Sequence, residues 1–441
     1  MIQWTKNKNN MRKINFITSA LLLCCLCSFS QQTPAKKQSE SITITGATIH
    51  IGDGTIIDNG IVIFENGKIQ AVADATTSKI ALKGKIIDAS GKHIYPGFIG
   101  ANTNLGLVEV DAVNASNDQR EMGSMIPHVR SLVAYNAESK VVESMRPNGI
   151  LIAQVSPNGG RFSGTSSIMQ LDAWNWQDAA IKKDDGIYLN WPSSFSRGRW
   201  WLGEPRGLKP NRNYSKQVND IMTFVIESKA YLNGSRTNLN IPFEALEGLF
   251  DGSQKLYVNV NDEKGITDAV NFAIQNGIKM VVVGGYQAHT VSGLLKSNNI
   301  PVLIDHTHSL PATSDHDYDL PYKNPKLLAD AGVLVGIHTG NNSNFQTRNL
   351  PFYAGQVVGQ GMSKEDALKL ITLNVAQILG VDTMLGSIEV GKSATLFVSK
   401  GDALDMRGNQ LTHAFIDGRE ISLETHQTEL WRRYSQKYQQ D

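Results

Sequence analysis

Cysteine is scarce in this 441-residue chain: there are three, and Cys24, Cys25 and Cys27 all fall within the first thirty residues. The rest of the chain has no thiol, which excludes disulfides, cysteine-zinc sites and thiol catalysis together. An excess of one charge is missing too. Lys and Arg number 42 against 41 Asp and Glu, a formal net charge of +1, so nothing advertises a nucleic-acid or polybasic membrane partner. Long hydrophobic runs are absent, and the stretch from Ile14 to Cys27 is too short for a stable spanning helix. What remains, 41% hydrophobic and 19% charged residues, is ordinary globular composition, long enough for two or more folded units.

The start of the chain has its own grammar. Lys6, Lys8, Arg12 and Lys13, with no acid, precede the apolar stretch, and Ser28 and Ser30 are small residues placed for a cut before Gln31. Residues 1–30 are therefore expected to be a signal peptide, Met11 being a second candidate start, and the mature chain to be exported to the periplasm. A lipoprotein stays open because a cysteine ends many such signals, although Leu23, Cys24 and Leu26 put no small residue before any of the three. An uncut apolar anchor stays open as well. Residues 31–40 are polar, carry Pro34, Lys36 and Lys37, and read as a linker.

From Ser41 the pattern has a period of two. Ile42, Ile44 and Ile49 lead into Gly52-Asp53-Gly54, and Ile61 to Phe64 meets Lys68 to Val72 across Asn66-Gly67, a strong hairpin signal. Short strands return at Ser387 to Val390, Ala394 to Ser399 and Thr412 to Leu423, turning at Asp417-Gly418. A small β-sandwich assembled from 41–93 and 383–423 is the expectation. Between them, 94–382 alternates apolar strands with amphipathic helices. Eight strands are expected at Ile94 to Ile99, Ile150 to Val155, Ser167 to Leu171, Gly186 to Leu189, Lys255 to Val260, Met280 to Val283, Val302 to Ile304 and Val333 to Ile337. Fully apolar short runs suit buried parallel strands, and eight such units predict an α/β fold, a (β/α)8 TIM-like barrel with its chemistry at the C-terminal ends of the strands. A doubly wound open sheet is the runner-up, without a dinucleotide fingerprint to support it. Helices are expected at Asn324 to Gly332, with Asn324 as cap and Pro325 in the first turn, and at Ser363 to Gly380, with Ser363 and Asp366 at capping-box spacing. Residues 424–441, with Leu430, Trp431 and Tyr434, read as a surface helix.

The run Tyr95-Pro96-Gly97-Phe98-Ile99-Gly100-Ala101-Asn102-Thr103-Asn104 resembles the first barrel strand of the amidohydrolase superfamily, PGFID-x-H-x-H, and Gly386-Ser387-Ile388-Glu389-Val390-Gly391-Lys392-Ser393-Ala394-Thr395-Leu396 resembles its G-x-I-x-x-G-x-x-A-D-L return strand. The resemblance covers about residues 41–423 and is closest to the imidazolonepropionase-like branch. It implies hydrolysis of non-peptide C–N bonds with zinc or another divalent metal, held by two strand-1 histidines, a carbamylated strand-4 lysine, histidines on strands 5 and 6 and a strand-8 aspartate. The metal would lower the pKa of a bound water.

This chain departs from that pattern at each position. Asn102 and Asn104 stand for the two histidines, Tyr188 for the lysine and Asn259 for the strand-5 histidine. Strand 6 runs into Gly284-Gly285, and strand 8 has Gly340 where Thr-Asp is usual. Amides are poor ligands beside imidazole and a phenol forms no carbamate. No cofactor is therefore expected, and the first reading is a degenerate member that binds a ligand or partners an intact relative. The second is a working hydrolase with a relocated site built from His306, His308 and His338, near Asp305, Asp315, His316 and Asp317. The third is a periplasmic binding protein. Candidate binding residues are Asn102, Asn104, Tyr188, Asn259, Arg161 in the glycine-rich stretch Pro157 to Gly164, and Trp200 in a run that includes Trp191, Phe195, Arg197, Arg199, Trp201, Arg206 and Arg212. For each of these the plain alternative is structural: a solvated loop, a tight turn, or tryptophans that anchor a loop or a subunit contact. A small-molecule ligand, a homo-oligomer and a heteromer with an intact amidohydrolase are the partners left open.

Overall fold

The computed structural model describes residues 33–198, 200–204, 207–236, 238–340 and 344–438. The expected signal segment, with its three cysteines, lies outside the described residues, as do Arg199 and Arg206. Strands follow the chain as β1 (Ile42–His50), β2 (Ile56–Glu65), β3 (Lys68–Asp74), β4 (Lys85–Asp88), β5 (His93–Pro96), β6 (Phe98–Thr103), β7 (Ile150–Val155), β8 (Phe162–Gln170), β9 (Ala180–Asn190), β10 (Phe195–Arg197), β11 (Leu208–Pro210), β12 (Lys255–Val260), β13 (Met280–Gly284), β14 (Val302–Ile304), β15 (Val335–Ile337), β16 (Leu396–Ser399), β17 (Leu411–Ile416) and β18 (Arg419–Glu420).

Strands from both ends of the chain build one sheet in the order β18-β17-β16-β5-β1-β2-β3, with β4 against β1. The Asn66-Gly67 turn has φ of 51° and 77°, the left-handed pair that a two-residue hairpin of matching twist requires. Gly97 ends β5, so Ile94 and Tyr95 pair with Val398 and Phe397 of this sheet, and the barrel begins one residue later at Phe98.

The second sheet is the barrel, β15-β14-β13-β12-β9-β8-β7-β6, brought round by a bridge between Ala101 and His338. All eight expected strand segments contribute to the two sheets, but the third barrel strand, β8, runs antiparallel to both neighbours. Chain length explains this. Only 156–161 separate β7 from β8, whereas a parallel crossover needs a dozen or more residues. Inward-facing Ile99, Ala101, Ile152, Ile168, Tyr188, Tyr257, Val281, Val283 and Leu303 make the barrel interior. Outside it, the helix Glu263–Asn276 is capped by the Asp262 carboxylate on the Gly265 amide and ends at left-handed Gly277, burying Ile266, Ala269, Val270 and Ala273.

Two helices differ from expectation. The first spans Leu320–Asp330 with Asp319 at its N-cap position and Pro321 in its opening turn, so Asn324 lies inside it and its side chain donates to the Tyr286 carbonyl. The second is split into Lys364–Lys369 and Leu373–Leu379: Ile337 and Ile99 of the barrel donate to the carbonyls of Leu370 and Ile371, which would otherwise continue the helix. Ser363 caps the first half as the sequence indicated. The helix His426–Tyr438 buries no residue. Among the described residues no helix is long and apolar enough to cross a membrane.

Candidate functional site

Strand alternation aims every second side chain into the barrel, and here those positions carry rings and polar groups. Tyr188 of β9 and Tyr257 of β12 are register partners, fully buried and stacked at 5.0 Å with an 11° interplanar angle. The Tyr188 hydroxyl donates to Gln154 Oε1 at 2.9 Å, and that same oxygen accepts the backbone N–H of Asn102 at 3.1 Å. Gln154 Nε2 donates to Asp185 Oδ2, which also takes the Tyr257 hydroxyl, both at 2.9 Å, while Ser166 Oγ donates to Asp185 Oδ1 at 2.7 Å. Burial pushes the Asp185 carboxyl pKa up against the lowering effect of these donors. It also pushes both phenols well above their ordinary value.

Asn102 adopts a left-handed φ of 49°, which breaks the inward-outward alternation of β6. Its Oδ1 accepts from Ser156 Oγ at 2.8 Å and its Nδ2 faces His338 Nδ1 at 3.4 Å. Asn104 turns elsewhere, to Gln119 Oε1 at 3.1 Å. Asn259 donates to Asn190 Oδ1 at 2.8 Å, and Asn190 in turn reaches the Gly160 carbonyl and Ser163. Of the four positions that resemble metal-ligand sites, Asn102 and Tyr188 thus meet, through Gln154, with His338 alongside. Asn104 and Asn259 belong to other networks.

A divalent metal does not fit this donor set. The amides face each other and hydroxyls, the phenol is a donor to Gln154, and the one imidazole, His338, has Nδ1 already accepting from the Gly340 amide at 2.8 Å. Among the described residues no group of three or more His, Cys, Asp or Glu side chains is arranged to hold a metal.

His338 is 3% exposed, and burial lowers its pKa. The Gly340 bond puts its proton on Nε2, which has no hydrogen-bond partner. On the neighbouring strand end, Asp305 Oδ1 accepts from both the backbone N–H and Nδ1 of His306, at 2.8 and 2.7 Å. That hydrogen bond raises the His306 pKa. Desolvation opposes ionisation of Asp305, but His306 and His338 outweigh it and its pKa lies below the ordinary value. His308 is exposed and takes Gln356 Nε2 on Nδ1 at 2.9 Å, with buried Thr307 between it and His306. The two histidines therefore have separate partners and form no common site.

A cavity of about 610 Å³ opens over β12 to β14, lined by Phe195, Leu208, Asp262, Tyr286, Asp305, His306 and His316 among others. His316 packs on Tyr286 at 5.1 Å. His308 and Trp200 are not in its wall. Trp200 and Trp201 meet edge to face at 6.2 Å and stand 57% and 66% exposed, whereas Trp191 is buried and donates to the Tyr214 hydroxyl. Arg161 donates to the Asn190 carbonyl at 2.7 Å, with its pKa drawn down by burial. The loop around it is no anion cradle: the amides of Asn158, Gly159, Arg161 and Phe162 all donate to protein oxygens.

Sequence reasoning missed Gln154, Ser156, Ser166 and Asp185. For Gln154 the signal was present as a single polar residue in the otherwise apolar run Ile150–Val155, which is buried at every position.

The Amidohydrolase family model matches residues 219–421. Amidohydrolase tasK of Hapsidospora irregularis is 34% identical over 116 residues, 24% of this chain and 12% of that protein. Imidazolonepropionase of Syntrophobacter fumaroxidans is 35% identical over 94 residues, 21% of this chain and 22% of that protein. The matched segments thus span about an eighth and about a fifth of these relatives. The crystal structure of an amidohydrolase from Thermotoga maritima aligns with a TM-score of 0.75 at 22% identity, over 86% of this chain and 99% of that one. An adenosine deaminase from Xanthomonas campestris with bound zinc aligns at 0.51 and 13% identity, over 90% of this chain and 97% of that one.

Proposed function

We propose that this chain, which belongs to the amidohydrolase superfamily, has exchanged the metal centre for a structural polar core and binds a small ligand in the cavity over β12 to β14. One observation carries the reading: the hydrogen-bonded chain Ser156–Asn102–Gln154–Asp185 runs through the barrel where ligands to a metal would converge. Neutral amides and hydroxyls already bonded to one another are weak ligands for a divalent cation beside imidazole or carboxylate, and taking one up would break those bonds. The cavity beside them keeps the position at strand C-termini where barrels of this kind bind ligands.

A second reading is favoured by one contact, the 2.7 Å Asp305–His306 hydrogen bond at the cavity wall. Such a pair can move protons near neutral pH, so a metal-independent hydrolase acting on C–N bonds would use it. The basic, apolar start of the chain supports an exported, periplasmic location for either version.

The test is joint. Elemental analysis of the purified protein should find no stoichiometric tightly bound metal, and a screen of small amides, cyclic amides and amidines should give no turnover. Stoichiometric metal would overturn the first reading. Turnover that survives chelation and disappears in His306→Ala would replace it with the second.

A further inference from the structure

The chain is balanced in charge as a whole, but one hairpin is not. From Phe195 to Arg212 it holds Arg197, Arg199, Arg206, Lys209 and Arg212 against the single acid Glu204, a local net charge of +4 where the whole chain carries +1. Strands β10 and β11 within it pair with each other and with no other described strand. The turn between them has open space around it: a Cβ added at Gly203 or at Gly207 would meet nothing within 4 Å among the described residues. Trp200, Trp201 and Leu202 follow one another in that turn, each more than half exposed, and Phe195 and Leu208 on the two strands are about half exposed. Phe195 and Leu208 also line the cavity, whereas the three residues of the turn do not. Lys209 and Arg212, next along the chain, are exposed as well.

A run of exposed apolar side chains marks a surface that is covered in use. The charge selects among the coverings. A second copy of the chain meeting this hairpin by two-fold symmetry would set the basic segment against itself, and like charges brought together oppose association. An acidic protein matches the charge, but a protein interface seals its anchors under a surrounding rim, and a turn with open space around it brings no rim. A nucleic acid matches the charge too, yet its bases stack on flat rings and leave Leu202 in water. An anionic bilayer meets both demands. Its interface takes indole rings with their N–H at headgroup level, its acyl region takes leucine, and its phosphates attract lysine and arginine. We propose that the hairpin 195–212 docks the protein on an anionic lipid surface, with Trp200, Trp201 and Leu202 entering the interface and Lys209 and Arg212 held at the headgroups. This does not rest on the cavity being a ligand site.

The test is sedimentation of the full chain with sucrose-loaded vesicles, made either of phosphatidylcholine alone or of equal parts phosphatidylcholine and phosphatidylglycerol. Residues 1–30 carry an apolar stretch of their own, so the result is read from hairpin variants that keep that stretch. The parent should partition onto the anionic vesicles at least tenfold more strongly than the triple variant Trp200→Ser, Trp201→Ser, Leu202→Ser, all exposed positions whose change leaves the fold intact by circular dichroism. Its preference for anionic over neutral vesicles should be lost in Lys209→Glu with Arg212→Glu and should weaken at high salt. Lipids brominated in the acyl chain should quench a larger fraction of the parent's tryptophan fluorescence than of that left in Trp200→Phe with Trp201→Phe. Failure of the parent to bind, a folded triple variant that binds as the parent does, or equal partition onto the two kinds of vesicle would overturn the proposal. So would a parent that ignores vesicles and forms a dimer lost in the triple variant, which would assign the hairpin to a second copy of the chain.

Discussion

Replacing Asp185 tests the polar core most directly, because two substitutions at that one position pull in opposite directions. Asp185 is 1% exposed and accepts from Gln154 Nε2, the Tyr257 hydroxyl and Ser166 Oγ. Ser166 has a second acceptor, the Gly186 carbonyl at 3.1 Å, but Gln154 Nε2 and Tyr257 have none of equal quality. Asp185→Ala therefore leaves two buried donors unpaired, each worth about 1–3 kcal/mol, for a loss of roughly 2–6 kcal/mol. Asp185→Asn keeps one oxygen for Gln154 and Tyr257, and its amide can donate to Ser166 as the serine turns to Gly186. It removes the buried charge without stranding a donor. The sign with pH follows from the raised carboxyl pKa. The folded state holds its proton to higher pH than the unfolded chain, so stability falls as pH rises from the ordinary carboxylate range toward the raised value. Asp185→Asn should be at least as stable as the parent at pH 7 to 8, and its advantage should vanish as pH drops into the carboxylate range. Urea unfolding of the three proteins at pH 5 and pH 8 measures this. An Asn variant as damaged as the Ala variant at pH 8 would refute the argument, since the carboxylate would then be stabilised as an anion.

Other consequences can be measured separately. Asp172, 1% exposed, joins Arg146 at 3.2 Å and Arg419 at 2.8 Å, so Asp172→Ala should cost about 3–5 kcal/mol in chemical denaturation by removing the buried carboxylate that both guanidinium groups share. The double variant Asn102→His with Asn104→His should acquire no stoichiometric zinc by elemental analysis, because the two side chains turn to different partners, Ser156 and Gln119. The Asp305–His306 pair raises the histidine pKa and lowers the aspartate pKa, so its stabilisation is present between the carboxylate and imidazole ranges and lost outside them; both groups are partly solvated, and Asp305→Asn should cost no more than about 1 kcal/mol, seen as a Tm difference at pH 5.5 that shrinks by pH 8. If residues 1–30 act as a signal, mass spectrometry of protein expressed with its own N-terminal segment should place the N-terminus near Gln31; an uncut chain would refute the signal reading and an acylated cysteine would make the protein a lipoprotein.

The barrel was legible because its strands are short, apolar and bounded by turn residues, and the end sheet because Asn66-Gly67 and Asp417-Gly418 admit few conformations. The direction of β8 was not: hydrophobicity alone is the same read either way along a buried strand, and only the brevity of 156–161 carries the information. The helix break at Leu370 to Thr372 was hidden for another reason. The apolar stripe continues through it, and the carbonyls are diverted by barrel amides more than thirty residues away in sequence. At the site, the residues at positions that resemble metal ligands were visible one by one, but the network that two of them join was not. Gln154 and Asp185 acquire meaning only when β7 and β9 are placed around β8.

The reversed strand and the polar core are connected. Antiparallel pairing sets Ser166 opposite Gly186, with a register shift just beyond, and Asp184 takes a left-handed φ of 51°. That bulge lets the Asp185 carboxylate reach inward although Tyr188, three residues on, also points in; regular alternation would put them on opposite faces. Gly186 completes the arrangement, since a Cβ there would sit 2.4 Å from the Tyr257 ring and 2.5 Å from the Lys255 carbonyl. The carboxylate, the bulge and the missing side chain serve one another. Placing a metal site in this core would therefore require rebuilding the β8–β9 hairpin as well as changing the side chains, because the bulge that turns Asp185 inward also fixes the partners of Gln154, Tyr257 and Ser166.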